Sequence, residues 1–287
     1  MIDRRQFVTS CLASAVAGAE LQFHPYPDPR SHPSRDPRLW GIQLYTVREQ
    51  AKADLAGTLR GLGAMGYREV EFAGLHGHPA ADVRRMLDDA GLSAPAGHVG
   101  LEALTGAALD QTIADAKVLG HRFLIVPWIP NEQRTADGYA ATADAFSQAG
   151  ERLRPAGLGF GYHNHDFEFS PVGAGGPSAT CGYDILLDRT DPGLVCMELD
   201  LFWVRKGGRD AGAYFAKYPN RFRLVHIKDM AADGAMVDLG RGVMPWRELL
   251  HAAATAGVTH WFAEHDEPAD PMAFARSAIQ YLDTLPG

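Results

Sequence analysis

The residues of this chain best suited to chemistry lie in Leu158–Ser170, LGFGYHNHDFEFS. His163 and His165 stand two apart at the end of an apolar run that reads as a strand. A period of two puts both on one face of that strand. Asp166 and Glu168 follow. Three later apolar runs also end in groups able to hold a metal or move a proton: Glu198 and Asp200 in VCMELDLFW, His226 in LVHIKDM, and Glu264 in WFAEHDE. Four such endings in succession, each followed by a helix-like segment, point to several strands delivering side chains to one mouth. Imidazole and carboxylate together suit Mn, Zn, Co or Fe(II) better than Ca, which prefers all-oxygen cages. An ion with an open position there would act as a Lewis acid toward substrate oxygens.

The elements that must position these groups follow a regular pattern from Leu39 onward. Strands are expected at Trp40–Leu44, Tyr67–Phe72, Leu92–Val99, Arg122–Ile129, Leu158–His165, Leu194–Leu199, Phe222–Ile227 and Val258–Glu264. Pro95 weakens the third. Helices are expected at Asp54–Met65, Pro79–Ala90, Ala107–Leu119, Asp137–Leu153, near Asp184–Asp188, and at Asp210–Lys217, Trp246–Ala256 and Pro271–Leu282. Several close on a glycine: Gly66, Gly91, Gly120 and Gly257. Eight strand–helix units predict α/β architecture, a single (β/α)8 TIM barrel over residues 39–287. An open doubly wound sheet is the alternative. No glycine-rich phosphate loop follows the first strand, and GLGAMG (Gly61–Gly66) falls at a helix end.

The chain has 287 residues, 46% hydrophobic and 22% charged, with a net charge of −8. A TIM barrel takes about 250 residues. With no Lys/Arg run, nucleic acid is excluded as a partner. No apolar stretch reaches the ~20 residues of a membrane span. Cys11, Cys181 and Cys196 form no paired motif. Cys196 reads as a small core residue, and pairing with Cys181 is left open. Met1–Ala19 reads as a targeting segment: Asp3–Val8 resembles the twin-arginine export motif, and the run after it is rich in small residues. Glu20–Arg38, rich in Pro, His and Arg, reads as a linker. The expected location is therefore the periplasm, or the cytoplasm if the motif is not used.

A barrel interior should hold Val, Ile and Leu. Here the strand ends instead carry Gln43, Tyr45, Glu71, His98, Trp128, His163, His165, Glu198, Asp200, His226, Lys228 and Glu264. So many ionisable groups are costly without partners or an ion. Singly, each has a plain structural reading. His98 suits a hydrogen-bonded histidine, Glu71 a partner of Arg68 or Lys228, and Glu198 a carboxylate beneath the site. His163, Asp200, His226 and Glu264 differ because they end consecutive strands five to eight.

The segments GIQLYTVRE, GLGAMGYREVEFAG, AGHVGLEAL, YHNHDFEF, MELDLFWV, LVHIKDM, GRGVMPW and FAEHDEP together resemble the sugar phosphate isomerase/epimerase superfamily, the xylose isomerase-like TIM barrels. The resemblance covers nearly all of Leu39–Leu285. It implies one divalent metal, Mn first, with Zn, Co, Mg or Fe as alternatives, held by strands five to eight. Carried over by position, the ligands are His163, Asp200, His226 and Glu264. Many relatives have Glu where this chain has His163, so only Glu264 remains of their carboxylate pair. The acid/base part then falls to Glu264, His163, His165 or Lys228. Tyr45, Glu71, His98, Trp128 and Arg241 are the expected substrate-binding residues.

The chemistry implied is removal of a proton beside a metal-polarised carbonyl or hydroxyl. Reprotonation gives isomerisation or epimerisation, the leading expectation. Loss of a β-substituent gives a lyase or dehydratase acting on a 3-keto-glycoside or keto-inositol. A non-catalytic carbohydrate-binding barrel is the alternative of another class. An endonuclease on abasic DNA is disfavoured by the acidic balance. Export and the lack of a basic cluster, with Arg241 and Lys228 the only candidates, favour an unphosphorylated carbohydrate as the small-molecule partner. A homo-oligomer is compatible with this reading.

Overall fold

A computed structural model describes residues 39–173 and 180–285. The stretches read from the sequence as a targeting segment and a linker, and Cys11, lie outside the described residues. Eight parallel strands close into a barrel in sequence order. They are β1 (Gly41–Gln43), β2 (Glu69–Phe72), β3 (Ser93–His98), β4 (Phe123–Val126), β5 (Gly159–His163), β6 (Val195–Asp200), β7 (Phe222–Ile227) and β8 (His260–Ala263). Closure is direct: Gly41 of β1 pairs with Phe262 and Ile42 with Ala263 of β8. Each strand read from the sequence is present: β7 has the expected bounds, β6 is shifted on by one residue to end at Asp200, and the others are trimmed by one to three residues at one or both ends. Pro95 is accommodated by a slip. Glu69 pairs with Ser93 and Glu71 with Ala96, so β3 carries an extra residue at the point where proline offers no N–H.

The helices pack their apolar faces on the outside of the barrel. A large core joins both layers through residues such as Leu59, Val83, Phe146 and Phe274. Two short helices were not anticipated, Arg48–Ala53 and Leu201–Lys206, each following closely on a strand. A two-stranded ribbon, Asp229–Met230 with Met236–Val237, was also missed. The loop that follows it is held by the Asp229 carboxylate, which accepts from the amides of Gly240, Gly242 and Met244 as well as from that of Met230. Among the described residues, no helix is long and apolar enough to cross a membrane.

Asp54 caps the helix Leu55–Met65, accepting from the Gly57 amide at 2.9 Å. Asp54→Ala leaves that amide without its acceptor. It should cost about 1 kcal/mol, read as a lowered midpoint in thermal unfolding with activity retained.

Inside the barrel the side chains fall into tiers, because every second strand residue points inward. At the floor, His260 and Glu69, the first residues of β8 and β2, pair at 2.8 Å. A plug of Ala96, Phe123, Ile125, Cys196, Leu224 and Phe262 lies above them. The plug is tight: a Cβ on Gly161 of β5 would come within 2.6 Å of Ile125 and 3.0 Å of the Cys196 sulfur. Cys196 is thus a core residue as expected, and it and Cys181 are both free thiols. The top tier is ionic.

Candidate metal centre and active-site pocket

The same two-residue step explains how one strand supplies two levels of the ionic tier. Glu198 and Asp200 both face inward from β6, as His226 does from β7 and Lys228 from one residue past its end. In register, Asp200 lies beside His226, and His163 beside Glu198. At the lower level, Glu198 Oε2 lies 2.9 Å from His98 Nε2, 3.2 Å from His226 Nε2 and 3.3 Å from His163 Nδ1. Glu71 joins them, 2.7 Å from His226 Nε2 and 2.7 Å from Gln43 Nε2. At the upper level, His226 Nδ1 meets Glu264 Oε2 at 2.5 Å. Lys228 Nζ lies 3.0 Å from Asp200, 2.8 Å from Glu264 and 2.7 Å from Asp266. His226 spans both levels with one nitrogen in each.

Burial and neighbouring charge set the protonation states. Burial opposes charge on His226, but Glu198 and Glu264 overcome it and hold the imidazolium well above its ordinary range. Burial likewise opposes His98, which Glu71 and Glu198 raise to about 9. Glu198 would be pushed up by burial, yet His226 and His98 bring it down to about 2. Burial would raise Glu264 too, but Lys228 and His226 hold it well below the usual carboxylate range. Burial pushes Asp200 up to about 6 despite Lys228. Burial also disfavours charge on Lys228, and Asp200, Glu264 and Asp266 more than restore it. His163 and His165 go the other way. Burial, with His226 acting on the first and Lys228 on the second, keeps both neutral, His165 down to about 3.

The donor atoms fit a divalent ion. One group comprises Asp200, His226 and Glu264, its donor atoms within 4.8 Å of one another. His163 Nε2 adjoins it, 3.7 Å from Asp200 Oδ2. A second group, His98, His163, Glu198 and His226, meets the same limit. His163 Nδ1 and Glu198 Oε1 are buried without a hydrogen-bond partner, and Asp200 Oδ2 meets the Lys228 ammonium at 3.0 Å. A metal requires neutral imidazole and ionised carboxylate, so His163 stands ready while His226 would give up its proton on binding. The structure thus brings the four residues expected as ligands to one place, with His163 at the edge of the set.

A cavity of about 1120 Å³ opens above the tier, with His98, His163, His165, Lys228 and Glu264 in its wall beside Tyr45 and Trp128. Several sequence expectations change here. β5 ends at His163, so His165 does not share a strand face with it. The Asn164 side chain instead accepts the Asp200 amide at 3.0 Å, and the ladder stops. His165 reaches the cavity from the following turn. Glu71 is fully buried in the ionic tier, paired with neither Arg68 nor Lys228, and is not part of the cavity wall. Arg241 is exposed on the loop wrapped around Asp229 and lies outside the cavity wall. Glu198 is not merely beneath the site but among the donors. Asp266, overlooked in EHDEP, lines the cavity and holds Lys228.

Glu168 fixes the turn that carries His165. Its carboxyl accepts from the Tyr162 hydroxyl and, at 2.9 Å, from the His165 amide. Burial raises Glu168 to about 8, more than those bonds lower it. A carboxyl raised on folding contributes its full stability below its unfolded value and loses it as pH rises through the folded value. The wild type should therefore lose stability relative to Glu168→Gln between about pH 4.5 and 8. Paired thermal melts across that range check this; parallel curves would contradict it.

Residues 60–285 match the family described as xylose isomerase-like TIM barrel. An inosose dehydratase of Lacticaseibacillus casei is 26% identical over 171 residues, 52% of this chain and 55% of that protein. The inosose dehydratase of Geobacillus thermodenitrificans (strain NG80-2) is 26% identical over 170 residues, with 52% and 55% covered. The chain thus spans about half the length of the curated relatives it matches. Among solved structures, a sugar phosphate isomerase/epimerase from Parabacteroides distasonis ATCC 8503 superposes with a TM-score of 0.75 at 29% identity, covering 86% of this chain and 98% of that one. With the match running through most of the barrel, the chain belongs to the family of xylose isomerase-like TIM barrels.

Proposed function

We propose that the protein is a lyase that expels a β-substituent from an uncharged keto-polyol. The observation that carries this is the unlike character of the groups facing the cavity. Epimerisation through two equivalent bases needs matched groups on opposite faces of the substrate. Here His163 and His165 are neutral imidazoles and Lys228 is an ammonium, an unmatched set that fits taking a proton at one atom and delivering one at another. The likeness to inosose dehydratases supports the same choice over the isomerase/epimerase expectation.

His163, Asp200, His226 and Glu264 would hold a divalent ion, for which Mn remains the first expectation. Such an ion supplies Lewis acidity toward a substrate oxygen. His165, with its free lone pair, takes the proton from the carbon next to the ketone. Lys228 delivers a proton to the departing oxygen. Asp266, Asp200 and Glu264 hold the ammonium in place, and the tier below holds His226 and His163 through Glu198. Glu102, Asp266 and Glu267 also line the cavity, and Lys228 is the only Lys or Arg among the described residues in its wall. This charge balance disfavours a phosphorylated substrate.

The test is incubation of ion-loaded protein with a keto-inositol in D₂O, followed by NMR. Formation of the unsaturated ketone supports the reading. Deuterium exchange at the adjacent carbon with no elimination would instead favour an isomerase or epimerase.

A further inference from the structure

We infer that the cavity has a second subsite, built on Trp128, that holds the leaving group. On that basis the substrate is a keto-sugar glycoside, which expels an alcohol or phenol, rather than a free keto-polyol, which expels water. This rests on the elimination reading above.

Size is the first argument. Pockets for drug-sized ligands span about 300–1,000 Å³, and this one holds about 1120 Å³. A single polyol ring is smaller than such ligands and leaves much of it unfilled. Polarity is the second. His98, His163, His165, Lys228 and Glu264 line the cavity at the strand ends, while Val99, Leu101, Pro127, Trp128 and Pro130, with Glu102 beside them, make a mostly apolar wall from the loops after β3 and β4. A keto-polyol, hydroxylated all round, gains little from such a wall; a ring-bearing leaving group gains contact area.

The third argument is how Trp128 is held. Half of it is exposed, yet the ring is not loose. The Arg134 guanidinium lies 4.4 Å from its centroid and also covers Phe167. His165 and Phe167 meet the indole edge-on, each at 5.0 Å. Tyr45, 44% exposed, lines the same cavity from the loop after β1, with Arg48 4.2 Å from its ring. Rigid aromatic faces give contact area at little entropic cost. A file of rings, His226, His163, His165 and Trp128, with neighbours 4.4 to 5.1 Å apart, leads from the ionic tier to this platform. A glycoside would lie along the file, its keto-sugar over the histidines and its aglycone at Trp128.

The reaction balances without a co-substrate. The base takes the proton from the carbon between the ketone and the carbon bearing the aglycone oxygen. The C–H pair becomes the C=C bond of an enone, and the C–O bond breaks with its electrons going to oxygen. Lys228 supplies the proton that makes the free alcohol or phenol. One proton is taken and one delivered.

The test uses ion-loaded full-length protein with two substrates, keto-inositol and the 3-keto form of phenyl β-glucoside. The expected kcat/KM ratio favours the phenyl glucoside at least tenfold. Trp128→Ala should cut that ratio about tenfold or more, and Trp128→Phe, which keeps a flat face, should recover most of it. Calorimetry with unoxidised phenyl β-glucoside, which cannot react, should show about tenfold weaker binding to Trp128→Ala. A ratio favouring keto-inositol, or one unmoved by Trp128→Ala, overturns the subsite. If neither ketone eliminates, the elimination reading falls, and calorimetry alone then decides: Trp128-dependent binding upholds the aromatic subsite, and its absence overturns it.

Discussion

Lys228→Met is expected to lower kcat by about 10²–10⁴-fold, the contribution of a positioned general acid, and to destabilise the ion-free protein. The ammonium is buried and touches Asp200, Glu264 and Asp266 within 3.0 Å. Methionine has similar length and no charge, so three carboxylates lose their shared counter-ion. Breaking a buried pair in this way costs about 3–5 kcal/mol, and for a chain of this size each kcal/mol moves the midpoint by about 2–4 °C. A divalent ion bound at Asp200 and Glu264 would replace the missing charge. Adding Mn should therefore recover much of the stability of the variant and none of its turnover. Melts with chelator and with Mn, beside product NMR, separate the two effects. A variant that melts like the wild type in chelator would show that Lys228 is not the internal counter-ion.

Glu264→Gln is expected to lower divalent-ion affinity by at least 10–100-fold and turnover by on the order of 10³-fold, with the fold retained. Glutamine keeps the shape of the side chain but lacks the negative charge that meets His226 Nδ1 and Lys228 Nζ. His226 then loses one of the carboxylates that keep it charged in a buried place. Metal content after dialysis against a weak chelator reads the first effect, and elimination rate at saturating metal reads the second. Full metal retention would remove Glu264 from the ligand set. Low metal content with a normal rate once reloaded would confine its role to holding the ion.

Together the two variants divide the upper tier by function. Lys228 is read as acid and counter-ion, Glu264 as ligand. Trp128, farther out, affects only which leaving group is accepted. Glu168 acts through the backbone of His165, so its effect should show as a pH dependence of stability.

The sequence by itself determined the barrel and the direction in which its chemistry faces. Period-two strands, glycine-closed helices and eight repeats favour the closed barrel over an open doubly wound sheet, since eight βα units are the number that closes and no phosphate loop follows the first strand. It also determined that His163, Asp200, His226 and Glu264 converge, because parallel strands in one barrel bring their ends to one rim. Tertiary structure alone decided what lies between those ends. β6 stacks Glu198 under Asp200, β7 and the residue just past it stack His226 under Lys228, and the barrel brings Glu71 and His98 across to meet them. No local pattern signals such pairs, since their partners lie 28 to 155 positions apart. Arg241 shows the converse: it looked basic and well placed, but the four amide bonds to Asp229 shape a loop that leaves it outside the cavity wall. His165 shows how a local bond can outweigh periodicity, for the Asn164 side chain ends the strand and Glu168 turns the chain. Whether a side chain meets substrate, ion or solvent depends on the strand across the barrel, and that neighbour is fixed only when the barrel closes.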